Sequence, residues 1–369
     1  MHVTRLHMTD FRNYEQLTLA CQPGVTVLWG DNAQGKTNIL EALFLCCTGR
    51  SHRTAHDREL VRWNAAGAFV EVEVQRREGR HVLEISLQDG KHILINGTPA
   101  SRIGQLMGHL NGVMFSPEDL RLVKEGPQER RRFMDMELSQ THPAYFYTLQ
   151  RYNRILNQRN HLLRAAQRTG KPMDETVLTA WDSQLAENGA VIMQERMAFV
   201  AHIAQLASAV HTHVSREKEA LTLQYRPGFS GFTGTAITPE MLMEGLAKER
   251  ERDMAQANTS AGPHRDDVLL RLNGRDARLY ASQGQQRSCA LSMKLAQIQY
   301  MHHSTGETPI LLLDDVMSEL DETRRGMLLD YIQGIQTFIT ATDPLQAAHL
   351  GGNTRVLRVQ NGQICEECV

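Results

Sequence analysis

Eight consecutive residues, Gly30-Asp31-Asn32-Ala33-Gln34-Gly35-Lys36-Thr37, match the spacing G-x4-G-K-T. The glycines let the backbone curl until its N–H groups point inward at a phosphate chain. Lys36 adds a point charge for the β- and γ-phosphates, and the Thr37 hydroxyl can ligate Mg²⁺. All eight residues are therefore candidates for holding a nucleotide. Far along the chain, Asp314-Asp315 follow the four apolar residues Ile310-Leu311-Leu312-Leu313. Phosphoryl transfer needs one carboxylate near Mg²⁺ and one group to orient or deprotonate the attacking water. Asp314 is assigned to the metal shell and Asp315 to the water, making Lys36, Asp314 and Asp315 the candidate catalytic set. A third segment, Ala281-Ser282-Gln283-Gly284-Gln285-Gln286-Arg287, opens a helix. A serine and a glycine at a helix N-terminus form another phosphate-sized anion site, and serine is also an ordinary N-cap.

Each of these segments needs an element to aim it. Val25, Val27 and Leu28 end a short strand at Trp29, and Ile39, Leu40, Ala42, Leu43 and Leu45 give the next segment a helical apolar face. The glycine-rich loop thus joins a strand to a helix, as phosphate binding requires. From Phe69 to Ile95 the apolar period is two, with turns at Gln88–Lys91 and Asn96-Gly97. This predicts an antiparallel β region. Helical patterns run from about Phe115 to Glu219 and include a helix over roughly 175–218, with Gly170-Lys171-Pro172 as the bend of a helical hairpin. Pro227 to Gly234 reads as a loop. The last third returns to strands and helices, with turns at Asn273-Gly274 and Asn361-Gly362. The predicted architecture is one α/β domain built from both chain ends, with a helical insertion. The boundaries read as 1–112, a helical lobe over 113–258, and 259–369.

Composition narrows the function classes. The 369 residues carry 40 Lys+Arg against 42 Asp+Glu, for a formal charge of -2. A uniformly basic nucleic-acid binder is excluded, so any DNA contact needs a local basic face. One exists: between Arg121 and Lys171 there are eleven Lys/Arg, including Arg130, Arg131, Arg132, Arg151 and Arg154, against four acids. Such a run neutralises phosphates or is a solvated helix face. Arg53 and Lys91 are weaker candidates. No apolar run is long enough for a membrane helix, and six cysteines are too few for a disulfide scaffold, which favours a reducing cytoplasm. Cys46 and Cys47 read as core, and Cys365-x-x-Cys368 as an exposed tail.

The order of phosphate loop, serine-glycine signature, Asp-Asp and Ser318-Glu319-Leu320-Asp321 resembles ABC-type ATPases. More closely, the chain resembles the bacterial RecF family, whose ATPase domain is related to the heads of SMC proteins. The segments LHMTDFRNYEQLTL, GDNAQGKTNILEAL, GRSHRT (Gly49 to Thr54), FSPEDLRLVKEGPQERRRFMD (Phe115 to Asp135), TSAGPHRDD (Thr259 to Asp267), SQGQQRS and LLLDDVMSELDETRR carry the likeness. It implies an ABC-type head with an inserted helical lobe, binding ATP and Mg²⁺. It also implies a composite site in which two protomers sandwich ATP. Ser282, Gly284 and Gln285 of one protomer would meet the nucleotide held by its partner, and Asp321 would face that partner. Arg53 matches a position near the nucleotide. The implied role is recombinational repair and SOS induction, with RecR and RecO as partners. The implied substrate is single-stranded, gapped or junction DNA.

Three departures stand out. The segment Phe115 to Leu120 lies where the class carries a Gln and has none. The second acid after the strand is Asp315 rather than Glu, and Thr340-Ala341-Thr342-Asp343 lacks the switch His. Slow hydrolysis is expected, suited to a clamp or timer. Two other readings share the motifs: a nucleotide-binding subunit of a membrane transporter, and an SMC-like scaffold with a vestigial ATPase.

Overall fold

The computed structural model describes residues 1–169, 174–232, 234–343 and 354–366. The chain divides into two compact units, Met1–Leu120 with Ala290–Val369, and Arg121–Cys289.

The first unit contains two six-stranded sheets. One is antiparallel, in the order Tyr14–Ala20, His2–Phe11, Phe69–Arg76, Gly79–Leu87, Lys91–Ile95, Thr98–Pro99. Alternation builds it: Val70, Val72 and Val74 are fully buried, while Glu71 and Glu73 reach across to Arg5. The other sheet runs Gln363–Glu366, Thr354–Gln360, Val25–Trp29, Thr337–Ala341, Ile310–Leu313, Gly112–Phe115. It is parallel except for the final hairpin. Ile310–Leu313 lies between two neighbours with all four residues fully buried. A strand covered on both faces has no solvent side, hence the unbroken apolar run.

Because these strands are parallel, their carboxyl ends share one edge. Ala341 pairs with Trp29, and Leu313 pairs with Ile339. The loops after Trp29, Leu313 and Ala341 therefore leave the sheet together, at the kind of edge where α/β sheets place ligands. The phosphate-loop helix, Lys36–Thr48, packs against strands of both sheets. That explains why it is buried nearly all round, Cys46 and Cys47 included, and not on one face alone.

The second unit is built on two long helices, Pro143–Thr169 and Glu175–Val214. The 40-residue helix is about 60 Å long. Its N-cap Asp174 accepts from the N–H groups of Thr176 and Val177. The expected bend at Gly170-Lys171-Pro172 lies outside the described residues. A strand the sequence did not announce, Leu221–Arg226, pairs antiparallel over six residues with Asp267–Leu272. That pairing draws 259–289 into the helical unit, whereas the sequence boundary at 258/259 grouped them with the C-terminal part of the ATPase domain. The first division falls after Leu120 and not at 112, because Gly112–Phe115 pairs with Ile310–Leu313.

Two arginines are sunk in this unit. Arg159 is 0 % exposed, and donates to Asp182 (2.6 Å), Asp253 (2.7 Å) and the Thr259 hydroxyl (2.9 Å). Arg196 donates to Asp135 (2.7 Å), Asp266 (2.8 Å) and the Pro263 carbonyl (2.6 Å). Among the described residues, no helix is long and apolar enough to cross a membrane.

Candidate nucleotide site

The loop after Trp29 is shaped by backbone that L side chains resist. Gly30 has φ +148° and Gly35 +110°, and Ala33 sits at +65°. A Cβ on Gly30 would lie 2.3 Å from the Val359 carbonyl oxygen, and one on Gly35 would lie 2.7 Å from the Asn13 amide. Both positions require glycine for conformation and for space. The loop is held from outside through its carbonyls. Asn13 Nδ2 donates to Gln34 O (3.0 Å) and the Tyr14 hydroxyl to Gly35 O (3.1 Å). The helix that follows has Gly35 as its N-cap, and among the described residues no side chain caps its N-terminus. Its positive end is left to whatever the loop encloses.

Lys36 is 8 % exposed, and its ammonium donates to Gly30 O and to Asp31 O (2.8 Å). Burial lowers its pKa, opposed by Asp315, Asp31 and Asp314. Thr37 Oγ1 donates to Asp314 Oδ1 at 2.8 Å. Thr340 Oγ1 donates to the same oxygen at 2.9 Å and accepts from the Asp315 N–H at 2.8 Å. One hydroxyl thus fixes both acids. Asp315 is held at φ 52°, in the left-handed region, and Ser318 Oγ donates to its carbonyl (2.8 Å) and to Oδ1 (3.1 Å).

The donor set fits a nucleotide with Mg²⁺. A threonine hydroxyl and one carboxylate, in contact, are the hard oxygens Mg²⁺ takes when phosphates supply further ligands. Lys36 and the uncapped helix end complement the negative phosphates. Arg53 lies beside this set: its Nη1 donates to Asn38 Oδ1 at 3.0 Å, one residue past Thr37. The structure thus gathers Gly30 to Thr37, Arg53, Asp314 and Asp315 in the first unit.

Ser282, Gly284 and Gln285 belong to the second unit. Ser282 Oγ accepts from the Gln285 N–H (3.3 Å) and Gln285 Oε1 from the Ser282 N–H (2.8 Å), a reciprocal capping box. Gln285 Nε2 also donates to Glu219 (2.8 Å). Asp321 caps the helix Glu322–Tyr331 and pairs with Arg324. In the segment Phe115 to Leu120, Asp119 accepts from the Ser116 N–H (2.9 Å) and pairs with Lys294 (3.7 Å), and burial raises its pKa.

The basic segment divides. Arg130 is 6 % exposed and forks onto Asp267 at 2.7 and 3.2 Å, with further bonds to the Leu122 and Glu125 carbonyls. This corrects its expected place among DNA contacts, because its donors are already engaged inside the fold. Arg131 is partly withdrawn, donating to Asp266 O at 2.7 Å, and burial lowers its pKa. Arg132, Arg151 and Arg154 are exposed. The helix Pro143–Thr169 contains no acid, and all its arginines except the buried Arg159 face solvent. Lys91 is bound to Gly49 O (2.7 Å) and Asp57 (2.8 Å). Cys365 is exposed, and Cys368 lies outside the described residues. Sequence reasoning missed Thr340, Asn13 and Asn38. Thr340 meets Asp314 from a neighbouring strand end, and Asn13, in the turn between the first two strands, meets the loop at Gln34 and the helix at Asn38, so no local spacing announces these contacts.

Comparison with known proteins agrees with this geometry. The profile of the RecF/RecN/SMC N-terminal domain matches residues 2–364. The DNA replication and repair protein RecF of Lachnoclostridium phytofermentans is 44 % identical over 344 residues, covering 93 % of each chain. RecF of Acetivibrio thermocellus is 41 % identical over 369 residues, covering 98 % of this chain and 99 % of its own. Among solved structures, the recombination mediator RecF-ATP of the RecFOR pathway superposes with TM-score 0.92 at 34 % identity, covering 100 % of this chain and 98 % of its own. The Pyrococcus furiosus Smc head domain, at 14 % identity and TM-score 0.57, shares the fold, covering 99 % of this chain and 96 % of its own. The architecture is that of an ABC-type ATPase head with an inserted helical arm, and the chain belongs to the RecF family.

Proposed function

We propose that this chain is an ATP-dependent DNA-binding switch of replication and recombinational repair. The observation that carries the reading is the contact of Thr37 with Asp314, fixed by Thr340 beside the uncapped phosphate-loop helix. Bound ATP with Mg²⁺ supplies the γ-phosphate to be cleaved and the charge that must be neutralised. Gly30 to Thr37 bind the phosphates through backbone N–H groups and the Lys36 ammonium. In binding, Lys36 exchanges the Gly30 and Asp31 carbonyls for phosphate oxygens. Thr37 and Asp314 hold the metal. Asp315 orients the attacking water and takes its proton.

Asp315 is one methylene shorter than Glu, and the stretch Thr340 to Asp343 lacks a switch His. Hydrolysis is therefore slow and resets the complex. Ser282, Gly284 and Gln285 reach the partner's nucleotide across an ATP-dependent homodimer. Arg132, Arg151 and Arg154 contact DNA phosphates without reading bases. Single-strand gaps or junctions are the substrate, RecR and RecO the partners in recombinase loading and SOS induction, and the cytoplasm the compartment.

Gapped-DNA binding with and without ATP, at several salt concentrations, tests this. The wild type gains affinity with ATP, and that affinity falls steeply as salt rises. Lys36→Ala loses the ATP response, with nucleotide affinity down by on the order of a hundredfold. DNA binding indifferent to both ATP and salt would reject the proposal.

A further inference from the structure

One acid close to the phosphate loop has no part in the reading above. Glu41 lies on the phosphate-loop helix and is 0 % exposed. Three side chains from two other segments converge on it. Arg12, in the turn between the first two strands, forks onto both oxygens at 2.8 and 2.6 Å. Ser51 Oγ donates to Oε1 at 2.5 Å. Arg53 Nη1 reaches Oε2 at 3.4 Å.

These contacts are unequal. The Arg12 fork is short, and Arg12 is tied further to the Glu59 carbonyl (2.7 Å), so that pair is a fixed post. Arg53 is held differently. Its backbone N–H donates to Ser51 Oγ at 2.9 Å, as does the Thr54 N–H at 3.2 Å. The same Ser51 hydroxyl donates its proton to Glu41. The backbone of Arg53 is therefore fixed through Ser51 to the buried acid. Its head is held only loosely, one nitrogen shared between Asn38 Oδ1 at 3.0 Å and Glu41 at 3.4 Å. Among the described residues Nε and Nη2 of Arg53 make no hydrogen bond, and its side chain is 46 % exposed. Two guanidiniums on one carboxylate leave a net positive charge, which suits an anion.

Stability alone is a weak reason for such an arrangement, since a buried ion pair is often replaceable by apolar packing. We infer that Glu41 is a positioning residue that sets nucleotide affinity by holding Arg53 beside the phosphate loop. The inference rests on the proposed nucleotide site. Arg53 releases its long contact to Glu41 when a phosphate arrives, while the Ser51 link keeps its backbone in place. Asn38 and Asn13 extend the connection: Asn38 Nδ2 donates to Asn13 Oδ1 at 2.8 Å, and Asn13 Nδ2 donates to the Gln34 carbonyl of the loop. Glu41, Arg53 and the loop are thus one bonded assembly.

A double-mutant cycle tests this, using the full chain with ATP and with its slowly hydrolysed γ-thio analogue. Glu41→Gln and Arg53→Ala should each weaken nucleotide binding about tenfold or more, raising KM with kcat nearly unchanged. The double variant should bind no more weakly than Arg53→Ala. If Glu41→Gln does not fold, Ser51→Ala cuts the backbone link and leaves the Arg12 fork, and it should weaken binding in the same direction. Wild-type affinity in Glu41→Gln, or in Ser51→Ala where that replaces it, would overturn the inference. So would normal binding by Arg53→Ala, or losses that multiply in the double variant. Lys36→Ala separates the two levels: if it too binds normally, the nucleotide site itself is wrong; if it alone fails, only the role of Glu41 is.

Discussion

The nucleotide edge of the first unit and the core of the second both gather charge, but they hold it differently. In the second unit, Arg159 and Arg196 are spent on carboxylates of their own chain, Asp182 and Asp253 for one, Asp135 and Asp266 for the other. At the nucleotide edge, Lys36 rests on two backbone carbonyls, and Asp314 on two threonine hydroxyls. A neutral partner can be exchanged for a phosphate or a metal at modest cost. A buried counter-charge cannot, because removing it strands an ion in a poor solvent. The core of the second unit therefore uses charge for architecture, whereas Lys36 and Asp314 keep theirs available for chemistry.

The largest expected effect is in the architectural set. Asp182→Ala leaves Arg159 partly unpaired at 0 % exposure and should cost about 3 to 5 kcal/mol of stability. Denaturant melts read this directly. A loss below about 1 kcal/mol would mean that the buried pairs are not structural.

The next concerns His264, also in the second unit. Its Nδ1 is 2.7 Å from the Tyr152 hydroxyl and its Nε2 is 2.9 Å from the Thr259 carbonyl, a pattern that fits a neutral ring. Burial, and after it Arg265, Arg131 and Arg196, push its pKa down to about 4 against the pull of the Thr259 carbonyl. Between pH 6.5 and 4 the unfolded chain binds a proton that the folded chain does not. Stability is therefore lost as pH falls, by about 3 kcal/mol across that window. Asp266, raised to about 6 by burial, titrates in the opposite sense over part of this range. The comparison is consequently with His264→Gln, which should lack the histidine contribution. Parallel pH profiles for the two proteins would contradict it.

A smaller effect is expected at the exchangeable set. Thr340→Val keeps the shape of the side chain but removes the hydroxyl that binds Asp314 and Asp315. Hydrolysis should slow about tenfold while nucleotide binding changes little, the equivalent of about one hydrogen bond. A single-turnover measurement beside a binding titration separates the two, and unchanged hydrolysis would show that Thr340 does not place the acids.

Local signals in the sequence were reliable, and distant partners were not visible. The phosphate loop, the buried strand Ile310–Leu313 and the turns at Asn273-Gly274 and Asn361-Gly362 are specified by residues next to one another. Strand Leu221–Arg226 alternates properly in burial, yet it follows directly on a long helical pattern that hid it. The charge count failed at Arg130 for another reason. Its carboxylate, Asp267, lies 137 positions away, outside the window from Arg121 to Lys171 in which the charges were counted. The same holds for Arg159, whose partners are Asp182 and Asp253. The contact of Thr340 with Asp314 was not legible because sheet pairing, not spacing, brings the two together.

In the proposed dimer Ser282, which caps a helix of the second unit, completes a nucleotide site on another copy of the chain. Sedimentation of Ser282→Arg with and without ATP tests it most directly, beside Ser282→Ala, which removes the cap of about 1 kcal/mol without adding bulk. Ser282→Arg should bind ATP with wild-type affinity and stay monomeric, while Ser282→Ala should still dimerise with ATP. An ATP-dependent dimer of Ser282→Arg would contradict it.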